Sequence, residues 1–116
     1  MPRFAILSHD HPFPHWDFLI EQPDACRTWR LLKLPNCSSE VPAEPLADHR
    51  LMYLDYEGPV SGNRGTVTAW DRGSFEWLVD LPSQIQVTLQ GNRLNGVASV
   101  IQCGQAWTWT FCPEPD

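Results

Sequence analysis

The stretch His9-Asp10-His11-Pro12-Phe13-Pro14-His15-Trp16-Asp17-Phe18-Leu19-Ile20-Glu21 gathers three imidazoles and two aspartates within nine residues. That density is unusual by accident and suits a divalent-cation site. From His15 onward a strand would put His15, Asp17 and Leu19 on one face and Trp16, Phe18 and Ile20 on the other. The two donors then sit about 7 Å apart at the backbone, near enough for both side chains to meet one ion. Pro12 and Pro14 keep the chain between them extended and non-helical, so His9 arrives from a separate strand or bend. Two imidazoles and one carboxylate suit Mn, Fe or Zn with positions left open for water or substrate oxygens, and suit Mg less well. His11 competes as a donor, because His9 and His11 alone make a His-x-His pair. The plainer alternative is that these are ordinary surface or core histidines.

A second polar group runs from Asp48 to Gly58. If it is a strand, His49, Leu51, Tyr53 and Asp55 share one face, bringing an imidazole and a phenol toward one pocket. An imidazole there shuttles a proton or, when charged, holds a phosphate oxygen. The alternative is that His49 caps a turn and Tyr53 packs with its hydroxyl at the surface.

The elements that position these groups read as short strands, each alternating with period two and bounded by Gly, Pro, Asn or Asp. They fall at residues 3–7, 15–21, 28–34, 51–56, 65–70, 75–79, 85–90, 97–102 and 107–111. No stretch reads as a long helix. Residues 90–96 and 70–73 carry hairpin-turn chemistry, and the polar, Pro-rich segment from Pro35 to Pro45 reads as a surface loop with at most one helical turn. So many short strands leave exposed edges unless the sheet curls shut. The expectation is therefore an all-β fold, a compact small β-barrel of about eight strands forming one domain over 1–116, with the cation held inside the closed sheet. The six tryptophans are expected as core and wall residues.

At 116 residues and 42% hydrophobic content, one core is enough to fold on. Four apolar residues, Phe4 to Leu7, are too few for a signal peptide or membrane span, so the expectation is a cytoplasmic protein without membrane contact, present as a monomer. Cys26, Cys37, Cys103 and Cys112 lack CxxC spacing and are expected as free thiols. A net charge of −6 argues against a general nucleic-acid clamp, which gains affinity by neutralising phosphates. Arg27, Arg30 and Lys33 form the available basic cluster, although a bound cation also supplies local positive charge.

Five motifs occur in order along the chain: His9-x5-His15-Trp16-Asp17-Phe18; Thr28-Trp29-Arg30 with Lys33 and Pro35; Asp48-His49 through Tyr53, Asp55, Glu57 and Gly58; Gly65-Thr66-Val67 with Trp70-Asp71-Arg72-Gly73; and Leu89-x-Gly91-x-Arg93-Leu94-x-Gly96. In these the sequence resembles the 3′-phosphoesterase domain of bacterial DNA ligase D and its stand-alone relatives. The resemblance implies a β-barrel with manganese (or zinc or iron) held by His9, His15 and Asp17. It also implies catalytic roles for His49, which stabilises charge or moves a proton, and Tyr53, which orients the phosphate. The implied function is metal-dependent trimming of nucleic-acid 3′ ends in DNA repair, as a phosphodiesterase and phosphomonoesterase. Its implied partners are those ends or a smaller phosphate ester, together with ligase or polymerase repair proteins.

The chain also departs from the family pattern. Leu7 stands where the family usually has Gln, Leu19 where it has Arg, and residues 41–46 lack the expected basic residue. Arg30, Arg50 and Arg72 are candidates to compensate. A second reading follows from these losses, in which the chain is a non-catalytic metal-binding or accessory nucleic-acid-binding relative.

Overall fold

The computed structural model describes residues 1–36 and 40–115. Among these the chain is all-β, with nine antiparallel strands: β1 (Arg3–His9), β2 (His15–Glu21), β3 (Cys26–Leu31), β4 (Val41–His49), β5 (Gly58–Pro59), β6 (Thr66–Leu81), β7 (Gln84–Gly91), β8 (Asn95–Cys103) and β9 (Ala106–Pro113). One 3₁₀ turn covers Leu51–Leu54. The sheet order is β1-β2-β3-β4-β9-β8-β7-β6-β5, and β1 also pairs with β6. Eight strands thus form a closed ring that leaves their edges paired, which is the closure the strand count demanded.

The interior is filled by one alternate set of side chains, including Phe4, Ile6, Phe18, Ile20, Trp29, Phe75, Val87, Val100 and Trp109. Trp29 and Trp109 are buried there, and Trp16, Trp70, Trp77 and Trp107 pack against it partly exposed, as wall residues should. The other face of β1 and β2 carries a second apolar cluster of Ala5, Leu7, Leu19, Cys26, Leu54 and Val67. The 3₁₀ turn roofs that cluster through Leu54, and Arg3 on β1 anchors its end by donating from Nη1 to both Asp55 oxygens at 2.9 and 3.1 Å.

Three expectations need correction. Of the segment expected as a loop from Pro35 to Pro45, residues 41–45 belong to strand β4, and Cys37, Ser38 and Ser39 lie outside the described residues. Each of the two prolines in β4 sits where one neighbouring ladder has ended: Pro45 lies beyond Ala43, where β9 pairing stops, and Pro42 lies past the last β3 pair, Leu31–Ala43. Residues 51–56 are a 3₁₀ turn and its exit, not a strand.

Residues 70–73 are not a turn. β6 runs unbroken for 16 residues, pairing with β1 and then with β7, and bends at a register shift opposite Ile6 and Leu7. The Asp-Gly chemistry there serves another end. The buried Asp71 carboxylate accepts from the backbone N–H groups of Asn92 (2.7 Å), Arg93 (3.0 Å) and Leu94 (2.8 Å), fixing the β7–β8 turn. Gly73 lets the backbone of Gln90 pass where a Cβ would collide.

Candidate metal centre

β1 ends at His9 and β2 begins at His15, and these two residues are direct cross-strand partners. The Pro-rich connection between them thus makes a hairpin that sets one imidazole opposite the other, with ring centroids 4.9 Å apart. Asp17, two residues along β2, projects from the same face. That face carries the second apolar cluster, so the three donors sit on the outside of the ring rather than within the closed sheet. The interior positions are taken by the aromatic core.

The three residues form one group whose ligand atoms all lie within 4.8 Å of one another. His9 Nδ1 is 3.3 Å from Asp17 Oδ2, and His15 Nε2 is 3.1 Å from Asp17 Oδ1. His15 and Asp17 are buried, at 1% and 2% exposure. The opposite ring nitrogens settle which atoms carry protons. His9 Nε2 lies 2.8 Å from the Arg64 carbonyl and His15 Nδ1 lies 2.9 Å from the Phe13 carbonyl. A carbonyl only accepts, so each of these nitrogens carries a hydrogen. In the neutral rings that a cation would bind, the inner nitrogens would present lone pairs beside the Asp17 carboxylate. His15 Nε2 and Asp17 Oδ1 are indeed buried without a hydrogen-bond partner.

The donor set is of a kind that could hold a divalent cation. Ligands about 2.1 Å from an ion at tetrahedral to right angles lie roughly 3.0–3.4 Å apart, which matches the two His–Asp separations, while the group as a whole spans 4.8 Å, so its donors would draw together around an ion. The backbone carbonyls holding the outer nitrogens are the orienting shell that metal-bound histidines characteristically have. His11 lies outside this group: its ring is 6.5 Å from that of His9 and it is exposed at the rim.

The donors open into a cleft of about 620 Å³ that is also lined by His49, Tyr53, Arg30, Arg50 and Arg64. His49 ends β4 and Tyr53 sits in the 3₁₀ turn, so they meet across an element change rather than along one strand face, with ring centroids 6.0 Å apart. The Ala47 carbonyl accepts from His49 Nδ1 at 3.1 Å, leaving Nε2 as the unprotonated atom of the neutral ring. Tyr53 is held edge-on against Tyr56 at 5.6 Å, and the Tyr56 hydroxyl donates to the Pro59 carbonyl.

Leu7 and Leu19 are on the expected face but are buried in the apolar cluster; Leu7 still borders the cleft, and Leu19 does not. The basic cluster on β3 is split: Arg27 pairs with Asp80, Arg30 turns into the cleft, and Lys33 is exposed beyond the strand. Arg72 lies against Glu57 and the Tyr56 carbonyl, outside the cleft lining.

Sequence reasoning missed Arg64. Its signal was the run Gly62-Asn63-Arg64-Gly65, whose residues 62, 63 and 65 all have positive φ. At Gly65 a Cβ would strike Asp10 and His11, so glycine lets the loop close on the end of β1. There Asp10 accepts from Thr66 N–H at 2.8 Å and is spent as a brace rather than a ligand.

Cys26, Cys103 and Cys112 are free thiols, as expected, and Cys37 lies outside the described residues. Burial pushes the Cys26 thiol up to about 11. Among the described residues no helix is long and apolar enough to cross a membrane.

The fold and donor group together define a small closed-sheet domain with a His–His–Asp set on its outer face. The chain belongs to the DNA ligase D 3′-phosphoesterase domain family, whose model matches residues 7–102. It is 30% identical over 104 residues, 81% of this chain, to the multifunctional non-homologous end joining protein LigD of Pseudomonas aeruginosa. It is 32% identical over 114 residues, 90% of this chain, to the LigD proteins of Mycobacterium bovis and Mycobacterium tuberculosis. The chain spans only 12–15% of the length of these relatives.

Proposed function

We propose that this domain is a divalent-metal-dependent phosphoesterase that trims nucleic-acid 3′ ends in DNA repair. The observation that carries the reading is the convergence of three donor side chains, from His9, His15 and Asp17, on a cleft shared with His49 and Tyr53. His9 through Nδ1, His15 through Nε2 and Asp17 through its carboxylate would hold the cation, manganese foremost and zinc or iron by donor type. Such an ion, when bound, polarises a phosphoryl oxygen and lowers the pKa of a bound water.

The reaction is hydrolysis: water oxygen bonds to phosphorus, the bond from phosphorus to the 3′ oxygen breaks, and the departing oxygen takes up a proton. In this reading His49 moves that proton: its Nδ1 contacts the Ala47 carbonyl, which leaves Nε2 to accept or return one. Tyr53 supplies a phenol beside it to orient the phosphate. Leu7, Val60 and Val67 line the cleft with apolar surface, which strengthens charge interactions there.

Purified protein incubated with Mn²⁺ and a primer ending in a 3′-phosphate should release inorganic phosphate, and His15→Ala should abolish the release. Inactivity of the wild type with Mn, Zn and Fe alike would refute the reading. The burial of Leu7 and Leu19 in an apolar cluster favours a second reading, a binding module that keeps the cation but not turnover. One bound cation with no phosphate release selects it.

A further inference from the structure

Resting on the phosphoesterase reading, we infer that Arg30 and Arg64 form a two-sided clamp for a terminal phosphate monoester at a nucleic-acid strand end. In this chain they take the task that the apolar Leu7 and Leu19 leave undone. The sheet order places them. The donors occupy β1 and β2; β3 flanks β2 and β6 flanks β1. Arg30 on β3 is the direct cross-strand partner of Asp17. Arg64 lies two residues before β6, and its own carbonyl holds the His9 ring. Both arginines line the cleft, one on each side of the donor group.

The charge distribution singles them out in a protein of net charge −6. Arg3 and Arg27 are engaged by carboxylates at 2.9 and 3.3 Å. Arg64 has no carboxylate partner among the described residues; its Nε and Nη2 donate to the carbonyl and hydroxyl of Ser61 at 2.7 and 3.2 Å. That brace fixes the fork while leaving Nη1 uncommitted. Arg30 stacks its guanidinium 5.3 Å over the Phe13 ring, and its nearest carboxylate, Glu44, is 3.9 Å away and half exposed. Arg30 Nε is buried with no hydrogen-bond partner among the described residues. Unspent guanidinium donors therefore face a cleft whose third side carries Arg50.

The geometry selects the phosphate class. A terminal monoester offers three non-bridging oxygens, one for a cation and one for each fork, whereas an internal diester offers only two. The clamp therefore discriminates phosphate-terminated ends from hydroxyl ends and from continuous backbone.

Binding, not turnover, tests this. A fluorescent primer ending in a non-hydrolysable 3′-phosphonate, and the same primer ending in a 3′-hydroxyl, are titrated with wild type, Arg30→Gln, Arg64→Gln and, as a control outside the cleft, Arg27→Gln. The titrations are run with Mn²⁺ and again with chelator. Each cleft variant should weaken phosphonate binding about tenfold or more and leave hydroxyl binding unchanged. Arg30→Lys and Arg64→Lys, which keep the charge and packing stem, should recover part of the loss while melting at the wild-type temperature. Inorganic phosphate should compete in the wild type and not in the Gln variants. Equal weakening for both primers, no weakening, or no competition by phosphate overturns the clamp. Phosphate release that persists in both Gln variants would sink the clamp and leave the phosphoesterase standing, whereas intact discrimination without turnover would do the reverse.

Discussion

Replacing Asp17 with Asn should make the cation-free protein more stable, a reversal of the usual result for a buried residue. His15 Nε2 and Asp17 Oδ1 lie 3.1 Å apart, both buried and without a hydrogen-bond partner, which is the arrangement of two facing acceptors when the ring is neutral. An Asn amide nitrogen in place of one carboxylate oxygen donates to a facing imidazole and removes a buried negative charge. A buried unsatisfied polar group costs about 1–3 kcal/mol, so relieving one should raise the melting temperature by roughly 4 °C or more, at about 4 °C per kcal/mol for a chain of this size. The assay is thermal unfolding in chelator at about pH 8, above the ordinary imidazole range. With Mn²⁺ at a hundredfold its dissociation constant the order should invert, the wild type gaining about 2.7 kcal/mol, near 10 °C, and the variant nothing. A variant less stable than wild type in chelator would show that the three groups are already satisfied without a cation, and the tautomer argument would fail.

Other substitutions probe the parts that hold the centre. Gly65→Ala forces a side chain into Asp10 and His11 at a φ of +78°, so it should lift the Arg64 loop off His9 and weaken Mn²⁺ affinity at least tenfold by calorimetry. Asp71→Ala strips the acceptor from the 91–94 turn and should cost about 3–5 kcal/mol in denaturant unfolding without altering the cation affinity of folded protein. Cys26, buried and with its thiol raised to about 11, should resist alkylation at neutral pH while the exposed Cys103 and Cys112 react, as peptide mass mapping would show. Because that pKa lies above the ordinary 9.0, the contribution of Cys26 to stability is complete below pH 9 and fades as pH rises toward 11. A Cys26→Ala variant should lack this alkaline loss.

The sequence exposed most where side-chain alternation was strict. β2 follows its predicted bounds because Trp16, Phe18 and Ile20 alternate with His15, Asp17 and Leu19 between the ring interior and the outer face. The same alternation predicted that His15 and Asp17 point together. Which side of the sheet they occupy was hidden, since both faces of β1 and β2 are buried: one by the ring interior, the other by the 3₁₀ turn. β4 was hidden because Pro42 and Pro45 signal a loop unless one knows that each sits where one neighbouring ladder has ended. The break read into β6 came from Asp71 and Gly73, whose reason lies 20 residues away in the β7–β8 turn. Arg64 was silent for the same kind of reason, being brought to His9 only by closure of β1 on β6.

The most direct test of the whole account is a crystal of the domain grown with Mn²⁺ and measured at the manganese absorption edge. One anomalous peak is expected about 2.2 Å from His9 Nδ1, His15 Nε2 and a carboxylate oxygen of Asp17, on the outer face of the β1–β2 hairpin. Manganese held elsewhere, by His11 or His49 for instance, or no ordered peak between residues 9, 15 and 17, would contradict it.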